Sequence, residues 1–271
     1  MLNTLMGEYP VTKQFMTHTD KFAFADIKGS PAPAFKRVVR NLEFDVSEMA
    51  IMTYLLAKAH GKPYRLLPVV VLARFQHPFL VYNSARSSLS PKDLNGKRIG
   101  VRSYSVTTGV WIRGILAEDY GVDLASIKWT TFEEPHVAEY RDPPGVQRAS
   151  AGKEIMAMLQ SGELDAAIVG AVPENGKIKP VIADHEAAAK RWREKHNAIQ
   201  VNHMVIVKNT VPRDAADEMY RLLVESKKAA GNPEMYPNGV EANRRNLEVA
   251  IDCAFKQKLI PRRFTVDELF E

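Results

Sequence analysis

Strands and helices alternate along this sequence, which predicts an α/β protein with mostly parallel sheets. Two kinds of segment carry that expectation. Some are short apolar stretches, either alternating with period two or unbroken, as buried strands are. Others repeat apolar residues at i, i+3, i+4 and i+7, as amphipathic helices do. Glycine and proline punctuate the joins between them.

Residues 2–9 alternate weakly and predict a short strand that Pro10 ends. Phe22-Ala23-Phe24-Ala25-Asp26-Ile27 predicts a second strand, and Gly29-Ser30-Pro31-Ala32-Pro33 a loop. Over residues 34–42, Phe35, Val38, Val39 and Leu42 share one helical face. A helix is predicted over 49–59, stopped by Gly61 and Pro63. The apolar runs 64–73 and 78–82 predict buried strands. After a polar turn over 84–91, residues 97–101 predict a strand, 102–106 a polar loop and 107–120 a helix that Gly121-Val122-Asp123 ends. Residues 127–132 predict a strand, and the charged, proline-rich stretch 133–145 a long loop. A helix over 153–161 stops at Gly162, and 166–170 predicts a strand. A polar helix over 187–196, a strand over 201–207 and a helix over 215–230 follow. The last helix, 243–258, has Leu247, Ile251, Ala254 and Phe255 as its apolar face.

The chain has 271 residues, enough for one large domain or two moderate ones, with 45% apolar and 25% charged residues. The net charge of +5 is scattered. Its densest basic run, Lys190 to His196, is broken by Glu194 and reads as a solvated helix face, so no nucleic-acid partner is expected. The positive excess suits a small anionic ligand. The single cysteine, Cys253, excludes an intrachain disulfide. No apolar run reaches the ~18 residues of a membrane span. The N-terminal residues have neither the basic nor the apolar region of a signal peptide. A cytoplasmic location is therefore expected, or a periplasmic one if an export signal was trimmed. Oligomeric state is not legible in the sequence.

Several residue groups have chemistry beside a plainer structural reading. Ser103, Tyr104, Ser105, Thr107 and Thr108 fall just before or at a predicted helix start. Free backbone N–H groups, the helix dipole and hydroxyls there suit an anion, or the residues simply cap the helix. Ser47 and Glu48 end a predicted strand and start a helix, so they either face a ligand or serve as cap and first-turn acid. Arg74-Phe75-Gln76-His77 lies between two apolar strands, where a cation and an imidazole can clamp a carboxylate and supply a proton. The plainer reading is a surface turn. Pro78 fixes the local chain and disfavours helical geometry at His77. Glu133, Glu134, His136 and Glu139 cluster without metal-ligand spacing and read as a mobile polar loop that can contact a ligand. Trp111 and Arg113 lie on the 107–120 helix, and Trp111 reads as core. His203, in an apolar strand, is either a satisfied core histidine or a ligand contact. No phosphate-binding loop, dinucleotide glycine fingerprint or nucleophile elbow is present. No cofactor and no metal are expected.

Ser90-Pro91-Lys92-Asp93-Leu94-Asn95-Gly96-Lys97-Arg98-Ile99-Gly100-Val101 resembles the segment that opens the second lobe of type 2 periplasmic binding proteins. Leu159-Gln160-Ser161-Gly162-Glu163-Leu164-Asp165-Ala166-Ala167-Ile168 is similar to their later helix–glycine–strand element. A narrower likeness covers most of the chain. Residues 43–49, Phe75-Gln76-His77, Val110-Trp111-Ile112-Arg113-Gly114-Ile115-Leu116, Tyr120-Gly121-Val122-Asp123 and His203-Met204-Val205-Ile206-Val207 resemble the 4,5-dihydroxyphthalate decarboxylase family. The run from 111 to 123 is the most specific of these.

The resemblance implies a two-lobed type 2 periplasmic-binding-protein-like fold with a ligand cleft between the lobes. Lobe 1 is expected over 1–83, lobe 2 over 84–198 and a return to lobe 1 over 199–271, the two crossings forming a hinge. It also implies a cofactor-free decarboxylase of a hydroxylated, phthalate-like aromatic acid. In that case His77 donates the proton, while Arg74 and the helix start near Thr107 hold carboxylate charge. The alternative is a solute receptor of the ABC-transporter type, which holds an anionic small molecule without chemistry, since fold does not fix function.

Overall fold

The computed structural model describes residues 1–174 and 176–271. The chain divides into two compact units, Met1–Arg74 with Ala198–Glu271, and Phe75–Asn197. The first stretch of the first unit holds strands β1 (Leu2–Leu5), β2 (Phe22–Phe24), β3 (Val46–Ala50) and β4 (Tyr64–Ala73) and helices α1 (Phe35–Asn41) and α2 (Ile51–Ala59). The second unit holds β5 (Leu80–Asn83), β6 (Arg98–Val101), β7 (Lys128–Thr131), β8 (Gln147–Arg148), β9 (Ala166–Ile168) and β10 (Ile178–Pro180). Its helices are α3 (Thr107–Tyr120), α4 (Ile155–Ser161) and α5 (His185–His196). The return segment adds β11 (Val201–Lys208), α6 (Arg213–Ala229) and α7 (Val240–Lys256).

Each unit has its own sheet. In the first, five strands run in the order β2-β1-β3-β11-β4; in the second, six run β10-β5-β9-β6-β7-β8. Both sheets are mixed. β1 is parallel to β2 and β3, and β6 to β7 and β9, as the alternation of strands and helices implied. β11 is antiparallel to β3 and β4, and β5 to β9 and β10. These are the strands that follow the two passages of the chain from one unit to the other. β5 was expected to close the first lobe at residue 83. Its ladder with β9 and β10 instead makes it part of the second unit, which begins at Phe75.

The period-two pattern sets the faces of each sheet. In the second unit Leu80, Ile99, Val101 and Ile168 pack with Ile112, Leu116 and Trp129. On the opposite face Val81 and Ala167 pack with Leu159 and Leu164. In the first unit Val46, Val205 and Val207 join Leu67, Val69 and Val71 against Met219, Leu222 and Leu223 of α6. No helix among the described residues is long and apolar enough to cross a membrane.

Two local expectations give way to tertiary structure. The helix expected from residue 49 starts at Ile51, because residues 46–50 pair with β11 instead, Glu48 opposite Val205 and Met49 opposite Met204. Ser47 and Glu48 are therefore mid-strand residues and cap no helix. His77, expected in extended backbone, opens the short 3-10 turn His77–Phe79. Pro78 falls in the first turn, where its missing N–H costs nothing.

Lys227 near the end of α6 is fully buried. Its Nζ donates to the Val70 carbonyl at 2.9 Å and to Asn238 Oδ1 at 2.5 Å, tying α6 to β4 and to the turn before α7. Burial pushes its pKa from 10.5 down to about 7. Between these values the unfolded chain carries a proton that the folded chain lacks, so stability rises with pH across that window. The urea midpoint is expected to increase from pH 7.5 to 9.5, with a slope of up to ~1.4 kcal/mol per pH unit from this group. Lys227→Met should flatten the increase, and an equal rise in that variant would rule the assignment out.

Candidate functional site

In the first unit the sheet face that packs on α6 changes character near the end of β3. Val46 and Val207 are apolar partners, and Val205 faces Glu48. Two residues along, His203 directly opposes Ala50, which places it diagonal to Glu48. Directly opposed residues share a face and diagonal neighbours are within side-chain reach, so the ladder brings Glu48 to His203. The register between β11 and β4 also shifts on both sides of His203, which re-aims side chains there.

Glu48 has no exposed surface. Its Oε2 accepts the Gly7 N–H at 2.9 Å. Its Oε1 accepts the Tyr9 hydroxyl at 2.9 Å and meets His203 Nδ1 at 2.5 Å. A buried carboxylate needs such partners, because leaving water without them costs several kcal/mol. The bond fixes the tautomer: Nδ1 carries the proton towards Glu48, and Nε2 is the nitrogen turned away from it. The imidazole, 12% exposed, is further held by an edge contact with Phe35 at 5.4 Å. Tyr9 is pushed to high pKa by burial and by Glu48. Ser47, also buried, turns its hydroxyl to the Glu48 carbonyl at 2.5 Å.

The chain after β1 is shaped for this arrangement. Thr12 Oγ1 donates to the Gly7 carbonyl at 2.6 Å and accepts the Tyr9 N–H at 2.9 Å. A Cβ on Gly7 would lie 2.5 Å from the Tyr9 ring, so only glycine lets the phenol cross its backbone to Glu48.

In the second unit β6 feeds residues 102–106 into α3. Ser103, Tyr104, Ser105 and Thr107 are buried, and Thr108 is half-buried. The helix cap is Val106, in extended backbone, and no side chain caps the first turn. The hydroxyls thus surround the helix start without serving as its N-cap. Ser103 Oγ is buried with no hydrogen-bond partner among the described residues.

The remaining candidates separate. Arg74 closes the first stretch of the first unit, where burial lowers its pKa and Tyr236 opposes that. His77 belongs to the second unit and is 1% exposed. Its ring lies 6.3 Å from that of Phe75, and neither nitrogen has a hydrogen-bond partner among the described residues. Burial pushes its pKa down to about 4, so it is neutral at pH 7. Glu134 is exposed, whereas His136, Val137 and Tyr140 are buried, so the 133–145 loop is packed against the unit along part of its length. No group of three or more His, Cys, Asp or Glu side chains among the described residues is arranged to hold a metal ion.

Gly7 and Tyr9 escaped the sequence reading. They lay inside the strand expected over 2–9, whereas β1 ends at Leu5 and leaves both just beyond its carboxyl end, where α/β proteins place ligand contacts.

No family model matches the chain. It is 32% identical over 194 residues to a 4,5-dihydroxyphthalate decarboxylase of Comamonas testosteroni, covering 67% of this chain and 59% of the relative. It is 32% identical over 175 residues to the Pseudomonas putida protein of the same name, covering 60% of this chain and 68% of the relative. The match thus spans 59% of the length of the Comamonas protein. Among solved structures, the aliphatic sulphonate binding protein SsuA of Escherichia coli superposes with a TM-score of 0.59 at 11% identity, covering 99% of this chain and 90% of that one. The alkanesulfonate-binding SsuA of Xanthomonas axonopodis pv. citri, bound to MOPS, gives 0.57 at 13% identity, covering 98% and 96%. The desulfurization enzyme DSZB also gives 0.57 at 13%, covering 98% and 95%. These structural likenesses establish the type 2 periplasmic-binding-protein fold.

Glu48→Ala removes the acceptor of three donors at once, and is expected to lower folding stability by ~3–5 kcal/mol. Glu48→Gln keeps the volume and one acceptor oxygen, so it should cost less. Urea denaturation of both variants checks this; equal, small losses would mean that the donors find other partners.

Proposed function

The chain belongs to the 4,5-dihydroxyphthalate decarboxylase family, and on that premise we propose that it removes one carboxylate, as carbon dioxide, from a hydroxylated phthalate-like acid without a cofactor. The observation that carries the proposal is the pairing of buried Glu48 with the half-buried His203.

The chemistry asks for an acid at one ring carbon. A hydroxyl para to the departing carboxylate pushes electron density onto the carbon that bears it. That carbon takes a proton from His203 Nε2, and the ring loses its aromaticity. The bond to the carboxylate then breaks, carbon dioxide leaves, and the bonding pair restores the aromatic ring. Imidazole regains a proton from water, so each turnover consumes one proton and releases one carbon dioxide. Glu48 at Nδ1 orients the ring and balances the charge it carries when both nitrogens are protonated, as the carboxylate does in other acid–base pairs.

His203 replaces His77 as the proton donor in this reading. Burial pushes the His77 pKa down to about 4, so at pH 7 the almost fully buried ring is the neutral imidazole, whose single N–H is a far weaker acid than an imidazolium. The start of α3 supports a second role, as an anion-holding element. Its first turn has no side-chain cap, the helix dipole is positive there, and hydroxyls flank it. Anionic ligands also appear in the names of the SsuA neighbours, which bind sulphonates.

His203→Gln is expected to lower kcat for 4,5-dihydroxyphthalate by roughly 10²–10⁴-fold while KM changes little. His77→Gln should turn over close to the parent rate. Carbon dioxide release measures both. Saturable binding of the phthalate by the parent protein with no carbon dioxide would instead favour a solute-binding protein.

A further inference from the structure

The most distinctive stretch of the sequence contains an arginine that the proposed chemistry does not use. Arg113 lies in the second turn of α3 and is fully buried. Its guanidinium carbon sits 3.8 Å from the Tyr104 ring centroid and 5.6 Å from that of Trp129. Those two rings meet edge to face at 5.9 Å. Its Nη2 donates to the Tyr104 carbonyl at 2.8 Å. The side chain therefore folds back along the helix, as long helical side chains do, and reaches the loop that precedes the first turn.

We infer that Arg113 is a positioning residue, which fixes the 103–105 loop so that its donors are presented to an anionic group of the substrate. The inference rests on the reading that the start of α3 receives that anion. The peptide plane supplies the reason. No described peptide bond is cis, so the carbonyl of Tyr104 and the N–H of Ser105 point in opposite directions. With the carbonyl held by Arg113, the Ser105 N–H is turned away from the guanidinium. The stacked Tyr104 ring adds a second constraint on the same residue, and cation–π contacts strengthen when desolvated. Gly109 gives the guanidinium its room. A Cβ there would lie 3.3 Å from Arg113 Nη1 and 3.2 Å from Val101 Cγ2.

A lysine can supply charge and a donor for the carbonyl but neither the planar fork nor the stacking surface. Arg113→Met should raise KM for 4,5-dihydroxyphthalate by roughly 10- to 100-fold with kcat within about threefold of the parent. Arg113→Lys should give an intermediate KM. A merely structural role would lower the melting temperature and the active fraction, and hence the apparent kcat, but leave KM alone, so that outcome overturns the inference. The double variant Ser103→Ala, Ser105→Ala tests the underlying reading separately. If it raises KM while Arg113→Met and Arg113→Lys do not, the loop binds the anion and Arg113 has no part in positioning it. If neither set changes KM, the reading of the loop itself fails. Should Arg113→Met not fold, Gly109→Ala takes its place, because the added Cβ presses on Nη1. A rise in KM in the same direction but smaller is expected, since Nη1 need give by only a few tenths of an ångström, and an unchanged KM overturns the inference.

Discussion

A carboxylate removed from water must be met by donors, and much of the first unit is arranged around that requirement at Glu48. Three groups from two distant parts of the chain converge on it: a backbone N–H after β1, a phenol two residues on, and an imidazole from β11. Each is held in turn. Thr12 fixes the turn that carries Gly7 and Tyr9. The antiparallel register of β3 and β11 puts His203 diagonal to Glu48, and Phe35 packs against the ring edge. The arrangement is rigid because no member can move without leaving a buried polar group unmatched. Rigidity of this kind lets an imidazole present one nitrogen in a defined direction.

The second unit handles polarity differently. Its loop from β6 to α3 is rich in hydroxyls, yet the helix start is capped by none of them. The buried Arg113 of α3 meets this loop at the Tyr104 carbonyl and ring, and also lies near the Trp129 ring. Two of the candidate histidines therefore differ in kind. His203 sits against a buried carboxylate, whereas His77 lies within ring-contact distance of Phe75 and is kept neutral by burial.

Much of this was legible along the chain. The segments around 98–101 and 107–120 read correctly as a strand and a helix, because period-two and period-3.6 apolar patterns are local and α3 ends where Gly121 follows it. Ser47, Glu48 and the 103–108 hydroxyls were picked out as candidates. Their surroundings were not legible. Glu48 looked like a first-turn acid since a helix does follow, but pairing with β11 keeps residues 46–50 extended. Strand pairing rewards contacts from distant sequence, and local propensity cannot foresee which partner arrives.

The sequence by itself determined the α/β class, the alternation of elements and the family likeness, since periodicity and motif spacing are properties of neighbouring residues. Only the tertiary structure decided that β5 belongs with the second unit and that His77 is buried away from any hydrogen-bond partner among the described residues. It also decided that Glu48 and His203, 155 residues apart, share a hydrogen bond. The physical reason is common to all of these. Charge state and hydrogen bonding depend on what replaces water around a group, and that replacement comes from whichever strands and helices the fold packs against it.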